Sequence, residues 1–482
     1  MDPETVDSKQ ELLTDFSHLI DGELQGSDGH LDVVNPATGR VFASCPDASR
    51  EQLDTAVAAA RRAFEDWKYT SYAERAALLQ KMAQALEQNQ DNLGELLTHE
   101  QGKPYAQAQA EIGRGGGQLT GLSKIPIPEE VLLDNDQLHI ELQYRPLGVV
   151  GIITPWNAPI NLALGPIASA LYTGNTIVLK PSPYTPLTTL KMGELMRDIF
   201  PKGVVNVLAG GDELGQWMTE HAGINKISFT GSVETGKKVM ASAAATLKRI
   251  TLELGGNDAA IVLDDVDPET VAKKLFFACT VNSGQVCMAV KRIYAHEKIY
   301  DQLCSALAEE ARATVLGDGM NPDTQLGPIQ NRMQYDKVIG ILEDTKSSGA
   351  KILAGGDVPG DGGYFVPPMV ATDLKEDSRL VHDEQFGPLI PVLKYSDVED
   401  AIKRANNTDF GLCGSVWTSD LEKGAALAAR LEVGTAWVNQ HRATLPTVPF
   451  GGAKQSGMGR QYSIIGLLGY MEPQVISVLK SN

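Results

Sequence analysis

Two kinds of hydrophobic pattern alternate along most of this chain: short apolar runs and stripes at helical spacing. Ser49-Arg50-Glu51-Gln52 has the form of a capping box. Behind it Leu53, Ala56, Val57, Ala60, Phe64 and Trp67 fall on one helical face. A second helical pattern runs from Tyr72 to Leu97. The texture then changes, with a glycine-rich stretch from Gly113 to Gly121 and a break at Pro126-Ile127-Pro128. Leu138 to Tyr144 alternates apolar and polar, which predicts a half-buried strand. From 147 onward, buried-strand runs (Val149–Ile153, Thr176–Leu179, Val204–Leu208, Ile227–Phe229) are separated by helical stretches (Leu162–Leu171, Pro186–Phe200, Asp212–His221, Glu234–Ala245). This rhythm predicts a parallel, doubly wound α/β sheet. A second α/β stretch begins near Asn257–Leu263 and runs to about 450, with Asp267-Pro268 placed to start a helix over Glu269–Ala278. Gln474–Leu479 reads as a last strand. Residues 1–20 read as a mobile polar leader.

Length and charge narrow the picture. At 482 residues the chain exceeds one ordinary domain. The net charge of −19 removes nucleic acid as an expected partner, because no basic face is available. The most apolar stretch, Ala158–Leu171, is too short and too broken to span a bilayer, so no membrane partner is expected. Cysteines at 45, 279, 287, 304 and 413 have no pairing pattern, and Met1-Asp2-Pro3-Glu4 lacks the apolar stretch of a secretory signal. A reducing, cytoplasmic location is expected. No CxxC pair or histidine cluster has zinc-ligand spacing, so no metal is expected.

Chemistry gathers at a few positions. Cys287, in the polar Asn282-Ser283-Gly284-Gln285-Val286-Cys287-Met288 segment, is a candidate nucleophile. Glu253, ending an apolar run before Gly255-Gly256, is a candidate base. In doubly wound sheets ligands bind beyond the carboxyl ends of the strands. Those ends carry Thr154-Pro155-Trp156-Asn157, Lys180-Pro181-Ser182-Pro183 and Thr230-Gly231-Ser232. Each has a plainer reading: Lys180 a surface exit, Asn157 a turn former, Gly231-Ser232 an ordinary helix start rather than a phosphate site. The other four cysteines read as small buried hydrophobes.

Taken in order, Pro155-Trp156-Asn157, Lys180-Pro181-Ser182, Phe229-Thr230-Gly231-Ser232, Leu252-Glu253-Leu254-Gly255-Gly256 and Gly284-Gln285-Val286-Cys287 resemble the aldehyde dehydrogenase superfamily. So do Glu384-Gln385-Phe386-Gly387-Pro388, Trp437-Val438-Asn439 and Pro449-Phe450-Gly451-Gly452, over residues 30–475. The resemblance implies two doubly wound α/β domains and a small β oligomerisation arm. Residues 1–124 and 147–255 would bind a dinucleotide, 256–469 would carry catalysis, and 125–146 with 470–482 would form the arm of a homodimer or homotetramer. It implies Cys287 as nucleophile, Asn157 with the Cys287 N–H as oxyanion hole, and Glu253 as the base that activates water. It places NAD or NADP against Ile153, Thr154, Pro155, Trp156, Lys180, Ser182, Pro183, Gly210, Gly215, Phe229, Ser232, Leu254, Gly255, Glu384 and Phe386. A small-molecule aldehyde would enter a tunnel lined by Ala158, Gly165, Val286, Met288, His441, Arg442, Thr444 and Phe450.

Two departures from the family pattern matter. Pro183 stands where many NAD-preferring relatives have a Glu that binds both ribose hydroxyls; proline neither repels a 2′-phosphate nor accepts from a 2′-hydroxyl. Gln461 stands where many have Glu, and it cannot take up a proton. Small residues at Ala158 and Gly165 imply a wide tunnel for bulky or medium-to-long apolar aldehydes; Arg442 could attract a carboxylate, but a solvated loop residue is its plainer reading. A CoA-acylating enzyme and a non-catalytic family member are the competing readings. Glu253 argues against the first, and retention of Cys287, Asn157 and Glu253 against the second.

Overall fold

The computed structural model describes residues 14–360 and 362–480. Its first sheet has eight strands in the order Glu23–Gln25, His18–Ile20, Val205–Val207, Thr176–Lys180, Val149–Ile153, Lys226–Thr230, Arg249–Glu253, Gly457–Met458. The five strands between 149 and 253 are parallel. The chain starts this set at Val149–Ile153, winds out through Thr176–Lys180 to Val205–Val207, then returns to the other side through Lys226–Thr230. The order therefore reverses between Val149–Ile153 and Lys226–Thr230, and a crevice opens there beyond the strand ends. Apolar residues fill both faces of this sheet, as buried parallel strands require.

A second sheet runs Lys351–Ala354, Met369–Thr372, Leu389–Tyr395, Val290–His296, Asp258–Val262, Cys413–Trp417, Thr435–Val438. Only the pairing of Lys351–Ala354 with Met369–Thr372 is antiparallel. A separate three-stranded sheet joins Glu130–Asp134, Leu138–Pro146 and Met471–Leu479, so the excursion after 125 and the C-terminal strand meet along their full length.

Local chemistry explains the helix starts. Ser49 Oγ accepts from Gln52 N at 3.2 Å while Gln52 Oε1 accepts from Ser49 N at 3.0 Å, closing the expected capping box on Arg50–Trp67. Asp267 accepts from Thr270 N and opens Pro268–Thr280. Three expectations change. The polar leader expected over residues 1–20 does not reach residue 20: His18–Ile20 is a buried strand beside Val205–Val207, while residues 1–13 lie outside the described residues. The stripe from Tyr72 to Leu97 is two helices, Tyr72–Gln88 and Gln90–Gln101, parted at Asn89. The glycine-rich Gly113–Gly121 lies inside a helix, Tyr105–Leu122. Close approach is the reason: a Cβ on Gly115 would stand 2.3 Å from Leu164 Cδ1, so glycine lets this helix press on Pro159–Tyr172.

Candidate active site

Cys287 follows Pro268–Thr280 and a tight turn in which Asn282 and Ser283 take left-handed backbone. Gly284 continues the turn at φ +72°, and a Cβ there would meet Gly387 O at 2.3 Å. The nucleophile loop is thus pressed against the Gly387-Pro388 segment that follows Glu384. Phe386, Arg442 and Tyr462 also hold positive φ. Such backbone costs about 1–3 kcal/mol at each non-glycine position and persists where surrounding packing dictates it.

Cys287 and Asn157 line one cavity of about 730 Å³. Asn157 is buried, and its side-chain N–H donates to Gln285 O at 2.9 Å, leaving its second amide hydrogen for a ligand oxygen. Its carbonyl accepts from Asn282 Nδ2 at 2.8 Å and from Lys103 Nζ at 3.0 Å. Lys103 in turn pairs with buried Glu111, whose other oxygen accepts from the Ile160 and Asn161 N–H groups at the start of Pro159–Tyr172. This ion pair fixes the loop that presents Asn157.

Charge is scarce around the thiol. Burial pushes the Cys287 thiol up to about 12, opposed by the Lys291 ammonium. Lys291 is itself buried and donates to the carbonyls of Val286 and Cys287 at 3.0 and 2.6 Å. Glu253 ends the strand Arg249–Glu253; its carboxyl is buried and its Oε1 has no hydrogen-bond partner among the described residues. Burial holds it well above the usual carboxylate range, with Arg460 acting in the other direction. Burial thus favours the uncharged form of both groups. The other four cysteines are buried, as expected for packing residues.

The expected cofactor residues lie at neighbouring strand ends. Ile153, Thr154, Pro155 and Trp156 follow the strand at the reversal, and Thr154 N donates to Lys180 O at 3.0 Å. Lys180 is buried, which lowers its ammonium to about 8. It donates to Pro181 O at 3.3 Å, leaving donor capacity for a ligand. Gly215 lies against it, where a built Cβ stands 3.8 Å from Lys180 Cε. Ser182 accepts from Tyr184 N, with half-buried Pro183 between them. Gly210 follows Val205–Val207, and Phe229 sits under Gly231. Ser232 caps Val233–Ala244 through Thr235 N, aiming that helix start at the crevice. Leu254 packs on Gly236, and Glu384 reaches over Gly255 to accept from Gly256 N at 2.9 Å. Trp156 and Phe386 meet edge to face at 5.4 Å. Buried spare donors at Lys180, a capped helix start and carboxylate Glu384 are groups that fit a dinucleotide.

The tunnel differs from expectation in four respects. Ala158, Val286, Met288, Arg442 and Thr444 line the cavity, but Gly165 and Phe450 do not. Tyr462 occupies the space beside Gly165: a Cβ there would stand 3.0 Å from Tyr462 Cε1. The small residue is filled from the C-terminal segment rather than left open. His441 borders the cavity, yet its side chain is fully buried, bonding Ser415 Oγ at 2.9 Å and facing Asp258 at 3.6 Å. Arg442 is half-buried in the cavity wall, not solvated, and stacks on Phe277. The lining is mixed rather than apolar, with Lys103, Arg114, Gln118 and Asn161 among it.

Sequence reasoning passed over Lys103, Glu111, Gln118, Lys291 and Tyr462. A signal existed for two of them: Glu111 and Gln118 interrupt the stripe Ala108, Ile112, Gly115, Leu119, Leu122, and polar groups on an apolar face need buried partners. Gln118 Nε2 donates to Tyr462 OH at 2.9 Å and to Asn161 Oδ1 at 3.1 Å. Among the described residues no cluster of His, Cys, Asp and Glu could hold a metal, and no helix is long and apolar enough to cross a membrane.

Known proteins resemble this chain over nearly its whole length. The model of the aldehyde dehydrogenase family matches residues 24–476. The aldehyde dehydrogenase LUC3 of a Fusarium species is 39% identical over 469 residues, covering 97% of this chain and 99% of the relative. A variant of an aldehyde dehydrogenase from Bacillus cereus superposes with a TM-score of 0.96 at 36% identity, covering 100% of this chain and 99% of the other. The betaine aldehyde dehydrogenase of Staphylococcus aureus in complex with NAD+ gives 0.95 at 32% identity, covering 99% and 98%.

Proposed function

The chain belongs to the aldehyde dehydrogenase family, and from that premise we propose how its residues oxidise an aldehyde to a carboxylic acid. Cys287 gives its thiol proton to solvent, the resulting thiolate Sγ bonds the aldehyde carbon, and the carbonyl oxygen becomes an oxyanion received by the second amide hydrogen of Asn157 and the Cys287 N–H. A nicotinamide dinucleotide, when bound, supplies the acceptor for the hydride that leaves that carbon, so a thioester remains on Cys287. Glu253 then takes a proton from water; the resulting nucleophile displaces Cys287 and releases the acid. The observation that carries this reading is the convergence of Cys287 and Asn157 on one cavity, with the buried, orphaned carboxyl of Glu253 within electrostatic reach of the thiol. Glu253 also favours hydrolysis over transfer to a coenzyme A thiol. A panel from acetaldehyde to aromatic and medium-chain aldehydes tests it, scored as reduced cofactor and free acid. Product appearing only with coenzyme A present would sink it.

Lys180 and Ser182 would hold the adenine ribose, Ser232 a phosphate and Glu384 the nicotinamide ribose. With Pro183 beside Lys180, both cofactors are expected to work. Their kcat/KM values should differ by less than about a thousandfold, or about 4 kcal/mol. Pro183→Glu should shift the ratio toward NAD by roughly tenfold or more, through repulsion of the 2′-phosphate. An unchanged ratio would refute this role for position 183.

The substrate is a bulky or long aldehyde whose reach is bounded by Tyr462. Tyr462→Leu should raise kcat/KM for branched aromatic aldehydes by roughly tenfold relative to acetaldehyde, the scale of small changes in pocket volume. Equal changes for both would show that Tyr462 does not bound the tunnel.

Residues 1–124 with 147–255 form the dinucleotide unit in this reading, and 256–469 the catalytic unit. The three-stranded sheet of Glu130–Asp134, Leu138–Pro146 and Met471–Leu479, within the arm expected at 125–146 and 470–482, exposes Val131, Leu132, Leu133, Val475, Val478 and Leu479. A second copy covering these residues would give a homodimer or homotetramer.

A further inference from the structure

We propose that Arg442, assisted by Arg114, is a carboxylate-recognition site in the substrate cavity, and that this enzyme's preferred aldehydes carry an anionic group at the end remote from the reacting carbon. The proposal rests on the reading of Cys287 as nucleophile in the same cavity. Both guanidinium-bearing residues line that cavity. Neither forms an ion pair with an Asp or Glu among the described residues, whereas eight arginines elsewhere do.

The carboxylate nearest to hand, Glu111, is already committed to Lys103 and to the start of Pro159–Tyr172. Arg442 is half-buried, and its Nε is buried without a hydrogen-bond partner. Its guanidinium carbon lies 5.6 Å from the centre of the Phe277 ring, a cation–π contact. Its backbone takes the left-handed conformation at φ 70°, a placement that surrounding packing must hold. Two like charges facing one cavity without a counter-ion repel each other, and burial with Arg114 nearby pulls the Arg442 guanidinium down to about 10. A planar anion accepting from the Arg442 fork would satisfy the orphaned donor and offset that repulsion together. Carboxylate matches the fork in shape and charge. Arg442 and Cys287 line the same cavity of about 730 Å³ and lie within electrostatic reach of each other.

The test compares matched pairs: 4-carboxybenzaldehyde against its methyl ester, and 8-oxooctanoate against octanal. The wild-type enzyme should favour the anionic member of at least one pair by tenfold or more in kcat/KM, an advantage that shrinks as salt rises. Arg442→Gln should lower kcat/KM for that anion about thirtyfold while changing the neutral partner less than threefold. Arg442→Lys should restore part of the loss, and Arg114→Gln should cost several-fold. Equal use of both members, or an equal loss on both in Arg442→Gln, overturns the proposal. Calorimetric binding of benzoate and benzamide to the wild-type protein separates this site from the chemistry. Benzoate binding at least tenfold tighter, lost in Arg442→Gln, supports the site even if no aldehyde is oxidised. Benzoate binding no tighter than benzamide refutes it.

Discussion

Cys287→Ala is expected to lower kcat by at least about 10,000-fold and to abolish the first-turnover burst of reduced cofactor, because no other group near Asn157 can bond the aldehyde carbon. The change removes one sulfur from a half-buried site, so the fold and cofactor binding should persist, as thermal unfolding and cofactor titration would show. A chemical readout runs alongside. Cys45, Cys279, Cys304 and Cys413 are buried and Cys287 is half-buried, so iodoacetamide should modify one thiol per chain. The reaction should be slow at neutral pH and speed up steadily toward alkaline pH, since burial pushes that thiol up to about 12. A variant that retains turnover, or a protein alkylated first at another cysteine, would remove Cys287 from its role.

Much of the fold was legible because its signals are local. The strands at 149 and 176 are apolar runs, those at 205 and 226 are short apolar runs broken by Asn206 and Ser228, and helical stretches separate them in a regular rhythm. The strand ends then placed Asn157, Lys180 and Ser232 without any tertiary information. What stayed hidden depends on contacts between distant segments. Gly165 looked like open tunnel, yet Tyr462, nearly three hundred positions later, fills it. Arg442 read as a solvated loop residue because exposure of a loop side chain depends on what packs over it, here Phe277. His441 turned away because Ser415 and Asp258 offer partners in the second sheet. Lys103 and Glu111 stand eight residues apart on either side of a helix start, and only the approach of Pro159–Tyr172 gives that pair its task of holding Asn157.

Glu253→Gln should separate the two halves of the cycle. The first turnover is expected to release about one equivalent of reduced cofactor per active chain, because Cys287 and Asn157 are untouched. Steady-state turnover should fall roughly a thousandfold, within the usual range for loss of a general base. Rapid-mixing measurements of cofactor reduction check both at once; loss of the burst as well would place Glu253 in the oxidation step. The pH dependence follows from burial. A carboxyl held well above its ordinary value of 4.5 becomes a base only as pH rises through the folded value, so wild-type deacylation should accelerate with pH there. The same shift acts on stability with the opposite consequence. Between 4.5 and the folded value the native state binds more protons at Glu253 than the unfolded chain does, so this group's contribution to stability falls as pH rises through that window. Glutamine has no proton to lose. Glu253→Gln should therefore lack the alkaline rise in turnover and show a smaller decline of Tm with pH than the wild type. A variant whose Tm declined just as steeply would mean that Glu253 is not the protonated group burial makes it.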